Sequence, residues 1–486
     1  MPYIIGADIG TTNAKAVAFS LDGTILYVHS EEYPIYHPRA DWSEQDPNEI
    51  LRAVEKCIRE VLDECREHGE VKALSFSAAM HSLIVLDEEG KPLSPSIIWA
   101  DNRSASIADD LRQTEEGKKI YHSNGTPIHA MAPVCKLLWL REHNSELFEA
   151  AARFVGIKEY VVFQLTGKYL IDYSIASATG LFNIRQLGWD TWTLDYIGLS
   201  ADRLSEPVSP YHIEYLPESN TLGLSVETAI VMGGGDGCLA NLGSGATTPG
   251  EMAVTIGTSG AVRICTPEAY TDEHMRTFCY LLDETTYVVG GATNNGAVVF
   301  QWLKDTLFQN ESYEALFDKA SEIKVGSDGL LCLPFLLGER APLWNSAVRG
   351  GFVGLDMYHT APHFVRAAME GILLNMFTIG RVVMENQSIH TIYGSGGFAK
   401  GDTWVQMLSD VFGIPVHLND TVETSSVGAA LIGLKALGQL DNLDDPNEFT
   451  DVVKKYKPDM QKHRAYLDVY AKFAQWAQIV DKQSDK

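Results

Sequence analysis

The chain is short of positive charge: 38 Lys and Arg stand against 64 Asp and Glu, a formal net charge of −26. So acidic a surface argues against nucleic acid as a partner. It also requires that any anionic substrate be met by cations placed locally. Cysteine is sparse as well. The seven are Cys57, Cys65, Cys135, Cys238, Cys265, Cys279 and Cys332, with no CxxC pair. An odd, scattered set fits reduced thiols in a cytoplasm and gives no zinc site. No run reaches the roughly 18 uncharged apolar residues of a membrane span, so no membrane association is expected. Before Asp8 there is no basic segment and only a few apolar residues, which read as a strand rather than a signal peptide. Short-period repeats and low-complexity tracts are absent too.

At 486 residues the chain is too long for one core, so two or three domains are expected. Tyr3–Ala7, Ala14–Ser20 and Thr24–Glu31 read as a strand meander, with Asp22-Gly23 as a hairpin turn. Helical spacing follows at Glu49–His68, then strand patterns at Val71–Ser77 and Leu83–Asp87. Lys136–Glu142, Ser145–Ala152 and Lys158–Thr166 read as helices. A second meander is expected over Met252–Ile256, Ala261–Cys265 and Thr286–Gly290. Helices at Ala297–Phe308, Pro362–Glu385, Asp402–Phe412 and Ser426–Ala436 come after it, with short strands at Thr391–Tyr393 and Pro415–Leu418. A Gly/Ser/Thr/Pro-rich stretch at 243–250 separates the halves, 1–244 and 245–486. Asp441–Asp445 and Lys482–Lys486 read as solvated loop and tail.

Each half opens with the same kind of turn. Asp8-Ile9-Gly10-Thr11-Thr12-Asn13-Ala14-Lys15 ends one strand, and Ile256-Gly257-Thr258-Ser259-Gly260 ends another. Backbone N–H groups beside glycine and short threonine hydroxyls form a nest for anionic oxygens. Two such turns suggest a duplicated fold gripping one phosphate chain from both sides; two ordinary β-turns are the plain alternative. Asp8 is placed to hold Mg²⁺ through water, because that ion takes one or two carboxylates and keeps most of its waters. Lys15 either adds positive charge there or is simply surface.

Asp236 lies between Gly235 and Gly237, so a substrate hydroxyl and a terminal phosphate can both approach it. That is the setting for a general base in phosphoryl transfer, although Asp-Gly is also a common turn. Gly394-Ser395-Gly396-Gly397-Phe398-Ala399-Lys400 lies between a short strand and a helix and suits a nucleotide phosphate. It is neither a Walker A loop nor a full dinucleotide fingerprint. Polar groups at Met80-His81, Trp99-Ala100-Asp101-Asn102-Arg103 and Lys136 suit a polyol. On extended backbone Trp99, Asp101 and Arg103 would share one side. A lone His81 is more often a satisfied core histidine. Gly338-Glu339-Arg340-Ala341-Pro342 is a further polar knot, with a structural Glu–Arg pair as its plain alternative.

These residues resemble the FGGY carbohydrate kinases. Met131 through Lys136 and Trp139 to His143 look like one family signature. The stretch from Gly350 through Gly354-Leu355 to His363, Ala367 and Glu370 looks like the other. Glu423-Thr424-Ser425-Ser426-Val427-Gly428 is similar to the family's nucleotide-side segment. The resemblance implies an α/β fold, the duplicated actin/hexokinase-like (ribonuclease H-like) ATPase fold, with two domains and an interdomain cleft. It implies ATP and Mg²⁺ as cofactors, with Asp8 on the metal side. Gly10, Thr11, Thr12, Lys15, Gly257, Thr258, Ser259, Gly396, Gly397 and Lys400 fall to the nucleotide, and Asp236 to the catalytic base. Met80, His81, Trp99, Asp101, Arg103, Lys136, Asp236 and Arg340 fall to the sugar.

Within the family, Ser77-Ala78-Ala79-Met80-His81-Ser82, Trp99–Ser104 and Gly338–Trp344 look like gluconate kinases, with xylulose or another pentulose as the alternative acceptor. A gluconate carboxylate asks for a cation, and Arg103, Lys136, Lys158 and Arg340 are the candidates. A chaperone-like or actin-like ATPase is the reading from another class. A homodimer is compatible with the resemblance, since family members are often dimers.

Overall fold

The structure is a computed structural model that describes residues 2–419, 423–443 and 452–484. The rest, including 444–445 and 485–486 of the expected loop and tail, lie outside the described residues. Two compact units emerge, and they are not colinear with the chain. The first takes Met1–Thr247, Thr266–Val288 and the segment beginning at Glu423; the second takes Thr248–Cys265, Val289–Val422 and the C-terminal stretch.

In the first unit one sheet runs in the order Ile213–Tyr215, Ala229–Gly235, Val71–Ala78, Tyr3–Ile9, Asn13–Ser20, Ile25–Glu32. Tyr3–Ile9 pairs antiparallel with Asn13–Ser20 on one side and parallel with Val71–Ala78 on the other. Its residues are apolar on both faces because both are covered: Ile4, Ile5, Ile9, Val17, Phe19, Leu74 and Phe76 are fully buried. Pro47–Glu64 covers one side. Asp46 caps it by accepting from the Asn48 N–H at 2.8 Å. The expected helix to His68 stops at Glu64, and Arg66–His68 continues only as a 3₁₀ turn.

The helix Thr424–Ala436 packs on the sheet and on Asp236–Gly243. Small residues allow the approach: a Cβ on Gly428 would stand 2.1 Å from the Leu239 carbonyl oxygen. The segment that resembles the nucleotide side thus buries itself in the first unit.

The second unit repeats the plan. Its sheet runs through Tyr287–Thr293, Gly260–Thr266, Glu251–Ile256, Thr391–Ser395, Val416–Asn419 and Val452–Tyr456. Glu251–Ile256 pairs antiparallel with Gly260–Thr266 and parallel with Thr391–Ser395. Ala361–Met384 is the one described helix long and apolar enough to cross a membrane, and 83% of its apolar window is buried inside the protein.

Candidate active site

In the first unit the parallel register aligns Asp8, Ser77 and Gly234 in one row across three strands, at their carboxyl ends. Open α/β sheets bind ligands just beyond such ends. Asp236 follows two residues later as the first residue of the helix Asp236–Gly243, and its carboxylate accepts from the Gly237 N–H at 2.6 Å. Gly235 lets Met80 pack close: a Cβ there would stand 2.7 Å from the Met80 sulfur, which would have to move aside. Met80 therefore lies against the backbone that presents Asp236. The Gly235 N–H is held by the Ser174 hydroxyl at 3.1 Å.

Asp8 accepts from the Ser77 hydroxyl at 2.6 Å. Burial raises its pKa, with Ser77 and Lys15 pulling the other way. A single oxygen-donor carboxylate at a strand end fits Mg²⁺ ligated mainly by phosphates and water. Among the described residues no three His, Cys, Asp or Glu side chains gather into an all-protein cage.

The turn after Asp8 is closed by the Gly10 N–H donating to the Asn13 carbonyl at 3.0 Å. Among the described residues nothing accepts from the Thr11 or Thr12 N–H, so these, and not Gly10, are the donors left for an anion. Three residues brace the turn. Tyr33 donates its hydroxyl to the Gly10 carbonyl (2.6 Å) and its N–H to the Thr12 carbonyl (3.1 Å). Gln45 donates to the Thr11 carbonyl at 2.8 Å, and the Trp99 indole N–H to the Thr11 hydroxyl at 2.9 Å. Lys15 pairs with Glu423 at 2.6 Å.

The expected common face of Trp99, Asp101 and Arg103 is not formed. The chain turns at Trp99–Ala100, and the Asp101 N–H bonds back to the Ile98 carbonyl at 3.1 Å. Trp99 goes to the phosphate turn, while Asp101 and Arg103 go inward. Asp101 is fully buried and takes the Arg103 Nε at 2.8 Å and the Ser43 N–H at 2.7 Å. Arg103 also bonds Glu44 and stacks 3.7 Å over the Trp42 ring. Lys136 is fully buried. Its ammonium donates to the carbonyls of His81 (2.6 Å), Ile98 (2.8 Å) and Ile97 (3.1 Å). Burial pushes it down to about 7, with Asp101 opposing. Both cations are therefore spent on the protein, and so is Lys158, which pairs with Asp172 at 2.8 Å and donates to the Gly234 carbonyl at 3.2 Å.

His81 is nearly buried and sits at φ 72°, a left-handed conformation that costs a non-glycine residue roughly 1–3 kcal/mol. Its Nδ1 donates to the Ala178 carbonyl at 2.8 Å, and Nε2 lies 3.4 Å from the Tyr280 hydroxyl. It is a satisfied histidine, but on strained backbone beside Met80.

In the second unit the Gly257 N–H closes its turn on the Ser259 carbonyl at 2.9 Å, again leaving the N–H groups of Thr258 and Ser259 without an acceptor among the described residues. The Ala297 N–H donates to the Gly257 carbonyl (2.7 Å) and the Gly296 N–H to the Thr258 carbonyl (3.2 Å), so a helix start carries this turn. Gly396 lies alongside it at φ 100°, where a Cβ would meet the Ile256 carbonyl at 2.5 Å. Gly397 has open space around it, and Lys400 is exposed. Glu339 is buried and takes hydrogen bonds from Thr293 (2.6 Å), Asn375 (2.7 Å) and the Arg340 N–H (2.7 Å). Burial raises its pKa, with those hydroxyl and amide donors opposing. The Arg340 guanidinium donates to the Thr293 carbonyl at 3.1 Å.

Sequence reasoning assigned no role to Ser77, Tyr33, Gln45, Glu44 or Ser174. Each acts across a long stretch of chain, and only Ser77 sat inside a quoted motif.

The model of the FGGY family of carbohydrate kinases, N-terminal domain, matches residues 3–243, and that of the C-terminal domain matches 252–437. A gluconokinase of Bacillus subtilis is 40% identical over 99% of this chain and 96% of its own. A xylulose kinase of the same organism is 30% identical over 97% and 96%. The solved structure of a ligand-bound xylulose kinase from Lactobacillus acidophilus superposes with TM-score 0.96 at 34% identity, covering 99% of this chain and 98% of that one. A gluconate kinase from the same species gives 0.95 at 34% identity with the same coverage. The chain belongs to the FGGY family of carbohydrate kinases.

Proposed function

We propose that the protein phosphorylates D-gluconate to 6-phosphogluconate, with ATP as donor. The observation that carries the acceptor is the difference between 40% identity to a gluconokinase and 30% to a xylulose kinase, each over nearly the full length. A pentulose such as xylulose is the second reading, because a xylulose kinase superposes as well as a gluconate kinase does.

In this mechanism the Asp236 carboxylate takes the proton of the acceptor hydroxyl while its oxygen attacks the γ-phosphorus. The bond to the β-phosphate oxygen breaks in line and ADP leaves. The N–H groups and hydroxyls of Thr11 and Thr12 hold phosphate oxygens from the first unit. In the second unit, the N–H groups and hydroxyls of Thr258 and Ser259, with Gly396, Gly397 and Lys400, are the groups suited to the nucleotide. Mg²⁺, when bound near Asp8, would neutralise charge on the phosphates. Met80 and His81 line the acceptor site, and Trp99 fixes the Thr11 hydroxyl.

Coupled ADP release with MgATP, measured against gluconate, xylulose, ribulose, glycerol and no sugar, tests this. A rate that depends strongly on gluconate is the expected result. Dependence on a pentulose instead would keep the Asp236 mechanism and discard gluconate. Sugar-independent hydrolysis would overturn the sugar-kinase mechanism for this chain.

A further inference from the structure

The sequence pattern offered Lys136 as a contact for the sugar. Its surroundings give it another task. The side chain is wholly buried, and its three N–H donors are all used by backbone carbonyls from two separate segments. One segment is the turn at His81, which holds Met80 against the Gly235 that precedes Asp236. The other is Ile97-Ile98, from which the chain turns to deliver Trp99 to Thr11. An ammonium has three donors and no acceptor. It can therefore tie three carbonyls to one point, which no neutral side chain of similar length does. The positive φ of His81 makes the tie necessary, because a strained residue persists only when its surroundings over-determine it.

We propose that Lys136 is a positioning residue that fixes the spacing of the two walls of the acceptor site, the Met80-His81 turn and the Ile98-Trp99 turn, and never touches the sugar. The inference rests on the acceptor site proposed above. The groups facing the ammonium are the three carbonyls, together with Asp101, Arg103 and Cys135. Arg103 is shared between Asp101 and Glu44, so the two cations, Lys136 and Arg103, stand with two carboxylates. The local charge is thereby balanced without a ligand, and the site has no need of an anionic sugar to compensate Lys136.

The test compares wild type with Lys136→Met and Lys136→Gln, reading KM for gluconate and for a neutral acceptor, KM for MgATP, kcat and the thermal unfolding midpoint. Methionine keeps the length and removes every donor. Glutamine carries no charge but restores two donors. The expected result for Lys136→Met is a rise of at least thirtyfold in gluconate KM, with MgATP KM within threefold of wild type. Lys136→Gln should recover a substantial part of that loss. Recovery by a neutral donor, of the same factor for gluconate and for a neutral acceptor, is what bracing of carbonyls predicts, whereas recognition of a sugar carboxylate leaves a deficit specific to gluconate. Two results overturn the proposal: an unchanged gluconate KM in Lys136→Met, or a Lys136→Gln as impaired as Lys136→Met while still folded. If Lys136→Met does not fold, Lys136→Gln decides alone: a smaller rise in acceptor KM, equal for gluconate and a neutral acceptor and with MgATP KM unchanged, is expected, and an unchanged acceptor KM or a rise for gluconate alone overturns the proposal. A wild type that phosphorylates none of gluconate, xylulose and ribulose would instead sink the acceptor-site reading on which this one stands.

Discussion

The two turns can be compared residue by residue: the Gly10 N–H closes the first on the Asn13 carbonyl, the Gly257 N–H closes the second, one residue shorter, on the Ser259 carbonyl, and their charge differs at the position two before the glycine. Asp8 stands three residues before Thr11, and Thr255 stands three residues before Thr258. Each faces a serine on the parallel neighbour strand, Ser77 for Asp8 and Ser395 for Thr255. Both pairs are hydrogen-bonded, at 2.6 Å in the first unit and 3.0 Å in the second. The scaffold is duplicated but the charge is not. The first turn carries a carboxylate there, and Asp236 supplies a second one from the same unit. The second turn carries a hydroxyl. The supports differ as well: side chains from distant segments brace the first turn, and the start of the helix Ala297–Leu307 carries the second. Duplication thus kept the backbone donors, which any phosphate can use, and concentrated in one unit the carboxylates suited to a metal and a proton.

Removing the asymmetry should cost the most at Asp236. Asp236→Asn should lower kcat by about 10³-fold or more while ATP still binds, since a positioned base contributes roughly 10²–10⁴. Single-turnover rates with a nucleotide-binding control check this, and retention of more than about a tenth of the rate would remove Asp236 from the role of base. Next comes Asp8→Thr, which gives the first turn the hydroxyl that the second has at the matching position. Loss of one preorganised electrostatic contact costs about 10²–10³ in kcat. The deficit should shrink as Mg²⁺ is raised. A variant indifferent to Mg²⁺ concentration would show that Asp8 serves only Ser77 and the fold.

Much of this was legible in the chain, for a physical reason. Strand–Gly–Thr turns are local: a glycine that closes the turn and a following threonine are adjacent in sequence, so both turns could be read directly, whereas the helix Asp236–Gly243 was not among the expected elements because Asp-Gly reads as a turn. What was not legible depended on long-range pairing. Alternation of Trp99, Asp101 and Arg103 suggested one face, but the turn at Ile98 sends Trp99 and Asp101 in different directions. Lys136 and Arg103 looked like ligands because they are cations. Their partners, the His81 carbonyl and Glu44, lie 55 and 59 residues away. Nor could spacing show that the segment from Glu423 packs in the first unit, since that depends on a helix crossing near Gly428.

A smaller effect is expected at Arg340, one of the four cations weighed for a gluconate carboxylate. The three other cations weighed for a gluconate carboxylate are matched inside the first unit, Lys136 by carbonyls, Lys158 by Asp172 and Arg103 by Asp101 and Glu44. If Arg340 reads the carboxylate, Arg340→Met should reduce kcat/KM for gluconate about tenfold to hundredfold, the worth of a charge-assisted hydrogen bond of roughly 1.5–3 kcal/mol. A pentulose should lose less. Equal losses for the two acceptors would assign Arg340 to the backbone of its own unit, through the Thr293 carbonyl, and leave the carboxylate to other donors.

The smallest effect tests the brace that only the first turn has. Trp99→Phe keeps an aromatic ring and removes the N–H that holds the Thr11 hydroxyl at 2.9 Å. A single neutral hydrogen bond is worth about 0.5–1.5 kcal/mol, so kcat/KM for MgATP should fall by no more than about tenfold. The sugar KM should move less, because the ring remains. Gln45 and Tyr33 still hold the carbonyls of the turn, which confines the change to the hydroxyl. If MgATP kinetics are untouched, the Thr11 hydroxyl does not engage phosphate, and the first turn works through its N–H groups alone, as the helix-carried second turn can. If the sugar KM rises instead, the indole N–H serves the acceptor, and its bond to Thr11 is a contact that the polyol displaces.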